Sequence, residues 1–138
     1  MGIKLGVIGI NHGTLAYVER LGINKMQFEK DLESEFRELF LSARQFLLSF
    51  EGIEETKKAR ITTYGDKNGG ICHMRTTKMG VDIGFLKGVL IPDKYGLLTG
   101  KTKKMRVYSI TELREDVLGY YVAESLRLNR EHHLGSRN

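Results

Sequence analysis

Apolar side chains fall on one stripe between Phe28 and Phe50. Phe28, Leu32, Phe36, Leu39, Phe40, Ala43, Phe46, Leu47 and Phe50 recur at steps of three and four, the spacing of one helix face. The pattern predicts a single helix over residues 27–50, about 24 residues and roughly 36 Å long. Its polar side starts acidic at Glu29, Asp31, Glu33 and Glu35 and turns basic at Arg37 and Arg44, the order that suits the helix dipole. Gly52 supplies a stop.

The period then changes. Glu54-Glu55-Thr56-Lys57-Lys58 reads as a polar connection. In residues 59–64, Ala59, Ile61 and Thr63 alternate with Arg60, Thr62 and Tyr64, which predicts a strand. Asp66-Lys67-Asn68-Gly69-Gly70 carries the Asn-Gly hairpin signal, and residues 71–76 read as the returning strand. Lys78-Met79-Gly80 turns the chain into a further strand from Val81 toward Ile91. A glycine-punctuated loop floored by Leu97-Leu98 leads to a last strand over residues 103–110, which opens on a basic cluster. Ser109 and Glu112 have capping-box spacing, so a closing helix is expected from near Thr111, with Leu113, Val117, Tyr120, Tyr121 and Leu128 on its apolar side. The fold class expected is α+β in two layers: an antiparallel meander of four to six strands packed against a long N-terminal helix and a C-terminal helix.

Length sets the domain count. A chain of 138 residues is expected to form one domain, over residues 26–131, with an N-terminal extension over 1–25 and a flexible tail over 132–138. Gly6-Val7-Ile8-Gly9-Ile10-Asn11-His12-Gly13 has the look of a nucleotide-binding turn, but its glycines do not make G-x-G-x-x-G and no acidic partner follows at the required distance. Met26 would be a sensible start for the domain proper.

Four short blocks carry a resemblance to a known family. Gly84-Phe85-Leu86-Lys87-Gly88, then Pro92-Asp93, Gly96-Leu97-Leu98-Thr99-Gly100 and Lys103-Lys104-Met105-Arg106, resemble the YdhG-like family, a mostly bacterial group whose domain is labelled as of unknown function. The match extends back through Ile61-Thr62-Thr63-Tyr64-Gly65 and Gly69-Gly70-Ile71-Cys72-His73-Met74, and forward through Tyr120-Tyr121-Val122 to Leu128-Asn129. It covers residues 36–129 in order. Some members are described as frataxin-like iron chaperones of helix-plus-sheet shape. That resemblance implies an iron reading here, in which Asp31, Glu35 and Glu38 would supply hard oxygen ligands.

Charge adds a candidate site. The formal net charge is +5 and the pI near 9.3, which favours an anionic partner. Lys101, Lys103, Lys104 and Arg106 lie within six residues, with Lys87 before them. On a strand Lys104 and Arg106 share a face, and glycine-bounded loops bring backbone N–H groups close to a phosphate. The expected ligand-binding residues are Lys87, Lys103, Lys104 and Arg106, with Tyr64 lining the pocket on the concave sheet face. The competing reading makes the lysines a solubilising edge strand and Arg106 an ion-pair partner of Asp82 or Glu112.

Other chemistry finds less support. Cys72, the single cysteine, excludes an internal disulfide and reads as a small core residue. Adjacent strand residues face opposite ways, so Cys72 and His73 cannot bind one ion. His132 and His133 stand in the tail, and no zinc or calcium motif occurs. Ser34, Ser42, Ser49 and Ser125 have no catalytic context. Nothing resembles a helix-turn-helix or an RNP aromatic pair. The expectation is a cytoplasmic, non-enzymatic binding module for a small anionic ligand or another protein. Neither nucleic acid nor membrane is expected as a partner. Iron is the one candidate cofactor, through the alternative chaperone reading, and the state is monomer or homodimer.

Overall fold

The computed structural model describes residues 25–135, with side chains as far as His132. The glycine-rich N-terminal segment, its nucleotide-like turn and the last residues of the tail lie outside them. In order, the elements are α1 (Gln27–Leu32), α2 (Arg37–Leu48), β1 (Glu54–Lys57), β2 (Thr62–Asp66), β3 (Gly69–Thr76), β4 (Val81–Phe85), a 3-10 turn (Gly88–Leu90), β5 (Leu98–Thr99), β6 (Arg106–Ile110) and α3 (Glu115–Gly135). The six strands form one open sheet in the order β1-β2-β3-β4-β6-β5, with every neighbouring pair antiparallel. The α+β class and the antiparallel sheet are as the pattern implied.

Strand register decides which side chains face the helices. Tyr64, Cys72 and Phe85 are cross-strand partners, as are Thr62, Met74, Ile83 and Tyr108, and all seven are buried. Phe40, Ala43 and Leu47 of α2 and Val117, Leu118, Tyr121 and Val122 of α3 complete this core. The opposite face presents Thr56, Thr63, His73, Val107 and Thr99 in one row, and each is exposed or half-buried. Helices and sheet therefore make two layers, and one sheet face stays open.

Four expectations need correction. The expected continuous helix over 27–50 is two helices, broken at Glu33–Phe36. Ser34 Oγ accepts the Phe36 N–H at 2.9 Å and Arg37 donates to the Leu32 carbonyl at 3.2 Å, so side chains take over backbone groups that a continuous helix would use. The apolar stripe survives the break because both pieces bury onto one sheet. Glu54–Lys57 is not a connection but the edge strand β1; its charged residues hide it from periodicity, and charge on an edge discourages further pairing. Residues 59–61 instead lie in the β1–β2 connection, closed by the Lys58 N–H on the Ile61 carbonyl at 2.9 Å. The strand from Val81 stops at Phe85, because Gly88 leads a 3-10 turn held by Leu90 N–H on Lys87 O (2.9 Å) and Ile91 N–H on Gly88 O (3.1 Å). Finally, α3 starts at Glu115, not near Thr111. Ser109 caps nothing, because its hydroxyl donates across the sheet to Asp82 Oδ1 at 2.7 Å.

The Asn-Gly turn is where it was expected. Gly69 has φ +136°, a conformation that L side chains rarely adopt, and the Asn68 N–H is held by Asp66 Oδ1 at 2.9 Å.

Candidate functional site

The structure separates the basic cluster from the sheet face. Lys101, Lys103 and Lys104 sit in the connection before β6 and are exposed. Lys104 precedes the strand, so it does not share a strand face with Arg106; its carbonyl accepts the Val89 N–H at 2.9 Å. Lys87 is half-buried beside the 3-10 turn. Arg106 pairs with Phe85 and so belongs to the helix side of the sheet. Its Nη1 donates to the Thr102 and Met105 carbonyls at 2.7 and 2.6 Å. Asp82 pairs with Ser109, three positions on, which puts it on the opposite face. That parity forbids the Arg106–Asp82 ion pair, and among the described residues no ion pair joins Arg106 to Asp82 or Glu112. The arginine ties down its own loop.

Tyr64 is also committed. It is 1 % exposed, and its hydroxyl donates to Glu55 Oε2 at 2.8 Å. Arg44 of α2 donates to both oxygens of the same carboxylate, Nε to Oε2 at 2.6 Å and Nη2 to Oε1 at 2.8 Å. Burial pushes the Glu55 carboxyl up, but the bonds from Arg44 and Tyr64 outweigh it and hold the group below its usual value. Burial, then the Glu55 hydrogen bond, hold the Tyr64 phenol well above its ordinary range. The trio fastens β1 to α2 and to β2.

A second network closes the loop after the 3-10 turn. Asp93 Oδ1 accepts the Tyr121 hydroxyl at 2.5 Å and the Leu97 N–H at 3.2 Å, and Oδ2 accepts the Leu98 N–H at 3.1 Å. Burial raises this carboxyl, but the donors together bring it below the usual carboxylate value. Sequence reasoning passed over this aspartate. The signal was there in Pro92-Asp93 before Gly96, since aspartate commonly caps a following turn with its own side chain.

Of the acidic residues in the iron reading, Asp31 is fully buried. Its Oδ1 accepts from Gln27 Nε2 (2.9 Å), Thr76 N (2.9 Å) and Thr76 Oγ1 (2.7 Å), which anchors α1 on β3. Glu35 and Glu38 are exposed. The three do not converge, and among the described residues no group of three or more His, Cys, Asp or Glu is placed to hold a metal ion. Cys72 lies fully buried on the helix side, where burial pushes its thiol up; it is a core residue, with its neighbour His73 on the open face.

The open face itself holds two depressions. One, of about 870 Å³, runs along β1–β3 past Glu54, Thr56, Lys58, Thr63, Gly65 and Gly70. The other, of about 270 Å³, lies across β3, β4 and β6. Its floor is Gly84 and Val107, its sides are Ile61, Met105, His73 and Arg75, and Asp82 stands at one end. A Cβ at Gly84 would come 2.9 Å from Met105 Cε, the movable end of that side chain, and 3.5 Å from the His73 ring, so the glycine keeps the floor open. Among the described residues no ion pair involves Arg75 or Lys58, while Asp82 is engaged by Ser109. His73 is held below its usual value by burial first, then by the charges of Arg75 and Lys58. Arg75, which forms no ion pair among the described residues, and a half-buried imidazole over a small apolar floor can receive a small anion, with the carboxylate of Asp82, the cross-strand partner of Arg75, at the far end and Lys58 outside the lining. Sequence reasoning named the face but not these residues, because Lys58 and Arg75 are far apart in the chain and only the β2–β3 hairpin brings them to one side.

The depressed imidazole gives stability a pH dependence. The unfolded chain protonates near 6.5 and the folded chain only lower, so the contribution is intact above 6.5 and is lost as pH falls through the folded value. For a half-exposed group the loss is expected to be a few tenths of a kcal/mol. Thermal melts on either side of that pH should show it, and Arg75→Gln should shrink it.

Fold and geometry together define a two-layer α+β protein with one sheet face left open. No family model, no curated protein and no solved structure matches the chain. Among the described residues no helix is long and apolar enough to cross a membrane.

Proposed function

We propose that this chain is a non-enzymatic binding module of the YdhG-like type, and that it takes a small anionic ligand on the open sheet face beside His73 and Arg75. The observation that carries the reading is the 270 Å³ depression lined by His73 and Arg75 over Gly84 and Val107. That size is near the lower end for ligand pockets, which run from about 300 Å³ upward, and suits a phosphate or a short carboxylate. Arg75 would give the anion a forked, charge-assisted contact, and His73, once protonated, a second donor. Lys58 adds attraction at longer range. The four cations of the basic cluster have a different place, at the sheet end, with Arg106 occupied by carbonyls.

Inorganic phosphate is the probe, with the His73 ring followed by NMR through a pH titration. Phosphate should raise the His73 pKa, because a bound anion favours the charged imidazole. Arg75→Gln should raise it without phosphate and weaken phosphate binding roughly tenfold. If phosphate perturbs only Lys103 and Lys104, or leaves His73 unmoved, the proposed site is wrong.

A further inference from the structure

The net charge of this chain is concentrated in one segment. Residues 86–106 carry Lys87, Lys94, Lys101, Lys103, Lys104 and Arg106 against Asp93 alone, so the whole formal charge of +5 arises there and the rest of the sequence is balanced. The lone acid is turned into the fold, its carboxylate occupied by Tyr121 and two backbone N–H groups. The same segment holds three of the five large apolar side chains exposed among the described residues: Val89 at 45 %, Leu90 at 60 % and Leu97 at 40 %. They stand on the 3-10 turn and the connection to β5, and the turn is docked on the lysine-bearing loop through Val89 N–H and the Lys104 carbonyl.

From this juxtaposition we infer that the 3-10 turn and its lysine-rich rim form a docking surface for an anionic lipid bilayer. Val89, Leu90 and Leu97 enter the boundary between headgroups and acyl chains, and the lysines lie on the headgroups. Exposed aliphatic side chains ringed by lysine are the composition that interfacial binding rewards. Lysine suits that role because its long stem lets the ammonium stay in the headgroup layer.

An acidic protein is the competing occupant, and two observations weigh against it. Lysine is depleted at the centre of protein interfaces. The depression of about 190 Å³ between Gly88, Val89, Ile91, Asp93, Leu98 and Arg106 is too small to seat a helix or an extended segment. The edge strand β5 offers little to an incoming strand, because the Leu98 N–H is already taken by Asp93. A bilayer surface needs no groove, and binding to it needs no membrane-spanning helix.

The test is sedimentation of the full chain with vesicles. Binding is expected to phosphatidylcholine vesicles containing about one third phosphatidylserine, to weaken steeply with salt, and to be absent with phosphatidylcholine alone. Lys103→Gln with Lys104→Gln should weaken it roughly 25-fold, taking about fivefold for each lysine. Leu90→Gln, which removes no charge, should weaken it about tenfold. A control double change at the exposed Lys30 and Lys67, both to Gln, should cost under about threefold. Circular dichroism confirms that each variant is folded. The inference is overturned if the control matches the 103/104 pair, if Leu90→Gln leaves partitioning unchanged, or if neutral vesicles bind equally. It is overturned in favour of an acidic protein if polyglutamate binds with the same dependence on Leu90 and the vesicles do not.

Discussion

Gly88→Ala is expected to destabilise the fold by roughly 2–4 kcal/mol. A Cβ at that position would lie 2.5 Å from Arg106 N and 2.5 Å from Arg106 Cβ. Gly88 is not among the positive-φ glycines, so the objection is space and not conformation. The contact is with backbone, which cannot swing aside as a side-chain tip can. Relief would require the 3-10 turn to lift from β6, and that strains the Val89–Lys104 and Ile91–Gly88 bonds around it. Denaturant unfolding measures the loss. Gly52→Ala, where nothing lies within 4 Å but φ is +87°, is the useful contrast: it should cost about 1 kcal/mol, from backbone conformation alone. Equal costs at the two sites would sink the packing argument. The same change at Gly88 should also disturb the presentation of Val89 and Leu90.

Arg44→Met is expected to cost roughly 2–3 kcal/mol near neutral pH, less than for a fully buried pair because the Arg44 side chain keeps 31 % of its exposure. The substitution keeps the apolar stem and removes both hydrogen bonds to Glu55, whose side chain is only 10 % exposed. Glu55 is then left with Tyr64 as its hydrogen-bond partner. The pH dependence identifies the mechanism. In the native protein the folded Glu55 value is depressed below its ordinary 4.5, so the pair contributes stability that is full above that pH and is lost as pH falls through the folded value. In the variant Glu55 is desolvated without its cation and its value rises, so this gain disappears. The difference between the two proteins should therefore narrow as pH falls, from the raised Glu55 value of the variant, through 4.5, to the depressed value of the native protein. A difference that stayed constant with pH would mean the loss is one of packing. Because the trio fixes β1 against α2, the variant should also loosen the Glu54, Thr56 and Lys58 side of the larger depression, and with it the placement of Lys58 near His73.

Some of this molecule was legible in its sequence. The phenylalanine stripe from Phe28 to Phe50 gave the side that meets the sheet, the Asn68-Gly69 pair gave the hairpin, and the alternation ending at Tyr64 gave a strand, though one begun too early. These are properties of neighbours a few residues apart, where period and turn chemistry act directly. The strand hidden in Glu54–Lys57 and the late start of α3 were not legible, because each depends on a partner distant in sequence: Arg44 and Tyr64 for Glu55, Asp82 for Ser109. The helix break rests on short-range bonds from Ser34 and Arg37, which an apolar period does not register. The site followed the same division. The sequence showed that cations cluster between Lys87 and Arg106, and it determined the segment that holds the net charge. It could not show that Arg106 turns to the helix side while Arg75 and His73 face outward. Strand parity is set by register between strands, which pairs Arg75 with Asp82 and Arg106 with Phe85. A one-residue shift reverses every side chain beyond it, so only the tertiary structure could decide which charges meet solvent together.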